Sequence, residues 1–104
     1  MLRILLMTAL LAATAFAEGK AKILVHVTHG PDAPTRAALA FLVARTAAEE
    51  GHTVTLFLAG DGVNLLREDS LDSVTGVGTG KLREHYDAMV KAGVRFYRRY
   101  WSPT

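Results

Sequence analysis

Apolar residues fall along the 104-residue chain in discrete runs, and their spacing predicts the elements. Residues 22–28 (KILVHVT) form a short, β-branched run that ends at His29, Gly30, Pro31 and Asp32. The run predicts a strand apolar on both faces, and therefore a central, parallel one. Thr35 is the predicted N-cap of a helix reaching about Glu50. Residues 37–44 carry no polar side chain, and their alanines would let this helix lie close against a sheet. Gly51 supplies the left-handed residue after its end. Residues 53–58 (TVTLFL) then predict a second strand, reached by a very short connection.

Beyond Ala59, Gly60, Asp61 and Gly62, residues 63–66 predict one or two helical turns. Residues 68–80 (EDSLDSVTGVGTG) read as a loop by composition. A second full helix is predicted over 81–92, with Leu82, Tyr86, Met89 and Val90 as its apolar stripe. Arg83/Asp87 and Asp87/Lys91 are opposite charges four residues apart on it. Gly93 closes the helix, and residues 94–97 begin a third strand. Alternation of strands and helices with short links implies parallel strands and right-handed crossovers. Three strands and two good helices make a thin domain, so some sheet edge or face should stay uncovered unless a partner supplies it.

The N-terminus follows a different pattern. Arg3 precedes an uncharged apolar run over 4–13, and Ala15-Phe16-Ala17 follows with small residues at alternate positions. This is the layout of a secretory signal peptide cut after Ala17. The run is shorter than the roughly 20 apolar residues that span a bilayer. The alternatives are an uncleaved anchor or a buried N-terminal helix. The division expected is a leader over 1–17 and one domain over 18–104, periplasmic or secreted, with no stable membrane anchor after cleavage.

Composition changes the picture mainly by exclusion. Half the residues are hydrophobic and 21% are charged, which rules out a disordered or collagen-like chain. The sequence contains no cysteine, so it offers no thiolate, persulfide or cysteine-held metal. A formal net charge of +2 does not argue for nucleic acid or a membrane surface. The charge is uneven, with an acidic excess over 18–80 and a basic excess over 81–104.

Ligands of parallel α/β sheets bind outside the carboxyl ends of the strands, where 29–35, 60–64 and the loop through Gly80 should converge. His29 at the first strand's end and Asp61 between two glycines are candidates there, although Asp61 is equally a turn former. The loop 75–81 (TGVGTGK) leads into a helix, with Gly78, Gly80 and Lys81 as candidate anion binders. It misses the P-loop pattern at Thr75 and Leu82, so a flexible surface loop is the competing reading. His26 reads as a hydrogen-bonded core histidine, His52 as a solvated turn residue and His85 as facing water. The histidines have no metal-ligand spacing, and the serines have no nucleophile elbow. No catalytic residue, metal or cofactor is expected. Arg95, Arg98 and Arg99 interleave with Tyr97, Tyr100 and Trp101 as in some RNA-binding surfaces, but a solvated, irregular C-terminus fits the charge better.

Taken in order, 22–25 (KILV), 34–37 (PTRA), 49–58 (EEGHTVTLFL), 60–63 (GDGV), 78–80 (GTG), 82–85 (LREH) and 92–94 (AGV) resemble the DsrE/DsrF-like family. The resemblance spans roughly 22–97 and rests on order and spacing, not on one diagnostic motif. It implies an α/β, three-layer-type domain with a mostly parallel sheet, β-α-β-(α)-α-β in this chain and incomplete relative to the family. It also implies assembly as a homo-oligomer or with related subunits. Some relatives relay sulfur on a cysteine near the end of the third strand. Here that region reads Arg98 to Thr104 without cysteine, so the sulfur-relay role has no residue to land on. A C-terminus truncated by a frameshift near codon 98 is the expectation for this departure from the family pattern. Three functional expectations follow. The first is a binding or assembly module without thiol chemistry. The second is a small-molecule or anion carrier or enzyme using His29, Thr35, Asp61, Gly78, Gly80 and Lys81. The third is a non-functional truncated product.

Overall fold

The computed structural model describes residues 19–99. The expected leader and most of the C-terminal departure from the family pattern lie outside them. Strand β1 (Lys22–Val27) leads into helix α1 (Pro34–Glu49), then strand β2 (Thr53–Ala59). A 3-10 segment (Gly60–Leu66) and a short helix α2 (Glu68–Ser73) follow. A two-residue-per-strand hairpin, β3 (Thr75–Gly76) and β4 (Gly80–Lys81), precedes helix α3 (Leu82–Lys91) and strand β5 (Arg95–Arg99).

β1, β2 and β5 form one parallel sheet in that spatial order, with Leu24 opposite Thr55 and Phe57 opposite Tyr97. β2 is therefore the central strand and β1 an edge, contrary to the sequence expectation for 22–28. Among the described residues no strand pairs on the outer side of β1, and only one of its two faces meets the helices. Ile23, Val25 and Val27 turn toward the helices, while Leu24 and His26 turn to the other side, where Leu24 is 67% exposed. An apolar run was legible; which face had company was not.

The core lies between the sheet and the two long helices, which pack against each other. Val54, Leu56 and Leu58 of β2 are buried against Ala37, Phe41 and Ala44 of α1 and Leu82 and Met89 of α3, together with Val63, Leu65 and Leu71. Phe96 joins this side and packs against Tyr86, the rings tilted by 55° with centroids 5.3 Å apart. Small alanines on α1 allow the close approach of helix to sheet. Among the described residues the opposite face carries no helix, so one of the two helical layers implied by the resemblance is missing.

Several local expectations are corrected. The N-cap of α1 is Ala33, with Pro34 in the first turn, and Thr35 lies inside the helix. Residues 68–80 are not a plain loop. Glu68 and Asp69 begin α2 with favourable charge at its N-terminus, and Leu71 plugs into the core. The chain stays extended through Arg99, so the arginines at 95, 98 and 99 belong to a strand and not to an irregular tail. Replacing the fully buried Leu56 on the central strand tests the single-core reading. Leu56→Ala should cost about 2–5 kcal/mol and lower the melting midpoint by more than 10 °C, measured by circular dichroism.

Candidate functional site

The six residues singled out from the sequence separate into two groups. His29 and Asp61 lie just beyond the carboxyl ends of β1 and β2. Their backbones are pressed together. A Cβ added at Gly30 would stand 2.7 Å from the Asp61 carbonyl oxygen, and one at Gly62 would collide with the Val27 carbonyl. Glycine at 30 and 62 is thus what lets the β1 exit cross the β2 exit. His29 and Asp61 are both exposed, and neither side chain makes a hydrogen bond or ion pair. This is a solvent-facing junction.

Thr35, Gly78, Gly80 and Lys81 belong to a different arrangement, the β3–β4 hairpin and its anchors. The Thr35 hydroxyl accepts the Val77 N–H at 3.1 Å, and Gly76 packs on Thr35 and Ala38. Gly78 and Gly80 have φ of +71° and +85°, which glycine adopts without strain. His85 is the second anchor. It is 6% exposed, not water-facing, because the hairpin folds over the first turns of α3. Its Nε2 lies 2.6 Å from the Thr79 carbonyl oxygen, and Arg45 Nη1 lies 3.3 Å from its Nδ1. A guanidinium only donates and a carbonyl only accepts, so Nδ1 accepts from Arg45 and Nε2–H donates to Thr79. One neutral tautomer completes both bonds.

These anchors weigh against anion binding at the start of α3. The Leu82 N–H is already given to the Val74 carbonyl, and Glu84 places a carboxylate in the first turn. Thr79 Oγ1 is buried without a partner against Gly76. Lys81 is exposed at the N-cap of α3. Outside the hairpin, Arg83 ties α3 to α2. Its guanidinium bonds Asp72 at 2.9 Å and Glu68, and it lies 4.0 Å from Asp87. The bonds to Asp72, then Glu68, raise its already high pKa, so it stays charged throughout.

His26 and His52 also differ from expectation. His26 is an exposed strand residue packed against Phe57, the rings tilted by 59° with centroids 5.4 Å apart, and makes no hydrogen bond. His52 accepts the Ala21 N–H on Nδ1 at 3.0 Å and so pins the start of β1 to that of β2. No group of three metal-ligating side chains occurs among the described residues.

The feature that single-residue scanning missed is a surface. On the open side of the sheet the register aligns Leu24 with Thr55 and Arg95, and His26 with Phe57 and Tyr97. Tyr97 is 53% exposed, and Lys22 and Arg99 share this face at its two ends. The signal was present in the sequence as parity. Even positions of the first strand, odd ones of the second and odd ones of the third form one face only once the register is fixed. A cavity of about 400 Å³ opens beside it, lined by Lys22, Ile23, Leu24, Thr53, Thr55 and Arg95. A second, of about 330 Å³, runs along the free edge of β1 between Val25 to His29 and the outer side of α1 at Arg36, Leu39, Ala40 and Val43.

The model of the DsrE/DsrF-like family matches residues 21–98. Neither a curated protein nor a solved structure matches the chain.

His85→Ala would strand the Thr79 carbonyl and the Arg45 guanidinium. The expected loss is about 1–3 kcal/mol, with faster amide exchange at Val77 and Thr79 than in β2. Unchanged exchange in the hairpin would show that His85 does not hold it.

Proposed function

Because the chain belongs to the DsrE/DsrF-like family, we propose that it acts as a binding or assembly module that engages a second copy or a related subunit, without thiol chemistry, in a periplasmic or secreted setting. The observation that carries this reading is the open sheet face. Sheets made wholly of parallel strands are normally covered on both sides. Here Leu24, Phe57 and Tyr97 form an apolar band on the side that no helix of the described residues covers, on the three-stranded sheet β1-β2-β5. Covering such a band removes apolar surface from water at roughly 25 cal/mol per Å². The 104 residues contain no cysteine, so these residues supply a scaffold and a surface and no sulfur carrier. The setting rests on the leader-like pattern of residues 1–17.

Lys22, Arg95 and Arg99 rim the face, so two copies meeting there repel until salt screens them. At about 0.5 M salt the screening length falls to about 4 Å. Sedimentation velocity of the full chain should then show concentration-dependent association. The pair Leu24→Lys with Tyr97→Lys should stay monomeric while keeping its far-UV circular dichroism and cooperative melt. Identical sedimentation of both proteins at every salt concentration would remove this face as an assembly surface.

A second reading draws on the junction at the strand ends, where Gly30 packs on the Asp61 backbone and the His29 and Asp61 side chains are exposed without a partner. There the domain would carry a small molecule or anion at the strand ends. A genuine ligand stabilises the fold by RT ln(1 + [L]/Kd). Screening a small-anion panel by thermal shift should give a rise that His29→Ala abolishes. A rise that survives both His29→Ala and Asp61→Asn places the ligand elsewhere.

A further inference from the structure

The open face has a charge pattern and dimensions that bear on which partner would fit it. All charged side chains within the three strands are basic: Lys22 in β1, and Arg95, Arg98 and Arg99 in β5. Lys22, Arg95 and Arg99 lie on the open face by parity with Leu24 and Tyr97, and none of the three makes an ion pair. The acidic groups of 68–87 are elsewhere, several of them gathered on Arg83. The face is therefore an apolar and aromatic band with cations at both ends and no carboxylate.

Its dimensions match one helix. Two strand spacings of about 4.8 Å separate β1 from β5 by about 10 Å, close to the diameter of an α-helix. The six steps between the first and last of the seven residues of β2, at about 3.3 Å each, run about 20 Å, the length of roughly 14 helical residues. A helix is also the layer that normally closes a parallel sheet. A second copy of this sheet face fits less well, because it would set Lys22, Arg95 and Arg99 against their own counterparts.

We propose that the open face docks a single amphipathic helix of a partner protein, its apolar stripe on Leu24, Phe57 and Tyr97 and its flanking carboxylates on Lys22, Arg95 and Arg99. The inference rests on the assembly reading above and names the partner's chemistry. The cavity lined by Lys22, Thr55 and Arg95 receives a carboxylate at one end of the helix, where two cations stand over an apolar floor. Recognition then follows the helix-on-groove mode, with apolar anchors at i, i+3, i+4 and i+7. One helix buries less than a standard interface, so binding is weak, in the range of about 10–100 μM.

The test uses the full chain and two labelled synthetic 14-residue helical peptides with the same leucine stripe, flanked by glutamates in one and lysines in the other. Fluorescence anisotropy in about 0.1 M salt should show the glutamate peptide binding at least about tenfold more tightly than the lysine peptide. Arg95→Glu should weaken the glutamate peptide about tenfold and strengthen the lysine peptide, a reversal that a merely unfolded variant cannot produce. Tyr97→Glu should weaken both. Equal affinity for the two peptides, or no binding of either at 1 mM, overturns the proposal. Binding to phosphatidylglycerol vesicles without binding to the glutamate peptide overturns it in favour of a lipid surface. Salt-induced self-association that Leu24→Lys/Tyr97→Lys abolishes, with no glutamate-peptide binding, overturns the helix partner while leaving the assembly reading intact.

Discussion

The handedness of the crossovers decides everything else about this domain. The strands lie in the spatial order β1-β2-β5, each new strand added on the same side of the last. A right-handed crossover between parallel strands puts its helix on a fixed face for a given direction of advance. Two advances in the same direction put α1 and α3 on the same face, where they pack against each other and share the core with Val54, Leu56 and Leu58. The second face stays open for a topological reason and not because its residues are polar. Only a reversal in strand order, or a contribution from outside these residues, could cover it.

That constraint explains which parts of the fold were legible in the sequence. The long periodic or apolar runs at 22–27, 34–49, 53–59 and 82–91 were readable because each carries enough pattern to fix its own conformation. The residues of α2 were not, since EDSLDS holds one apolar residue, and what ties the helix down is distant, with Leu71 in the core and Arg83 bonded to Glu68 and Asp72. His85 was misread for a related reason. It sits between Glu84 and Tyr86 on a helix whose polar side is plain from spacing, but the hairpin that covers it comes from residues earlier in the chain. The anchors that make the hairpin a fixed structure, Thr35 to Val77 and Arg45 to His85, are about 40 residues apart in sequence. Local pattern carries no trace of contacts at that range.

The candidate site divides in the same way. The loops carrying His29 and Asp61 come together, Gly30 against Asp61, because the exits of adjacent parallel strands are neighbours, which the order of elements alone implies. Of Thr35, Gly78, Gly80 and Lys81, the first three serve the hairpin itself, while the Lys81 side chain is exposed. Thr35 is spent on a backbone amide, and the glycines supply turn geometry. The open face was harder still to see. Leu24 and Tyr97 are 73 positions apart, and neither means much until the register puts Tyr97 beside Phe57 and Leu24 one row away on the same face. A surface of this kind is a property of pairing, whereas a motif is a property of sequence.

Charge and stability then act together. Lys22, Arg95 and Arg99 on the open face make no ion pair, while the carboxylates of α2 are drawn to Arg83. The sheet therefore presents a field of one sign over its apolar band, which selects among partners more than it adds affinity. A thin domain with one covered face gains less from burial than a complete three-layer one, and small domains begin with a narrow margin. Anything that binds the native face and not the unfolded chain adds its own free energy to folding. The same topology that leaves the sheet bare thus couples the domain's stability to occupancy of that face.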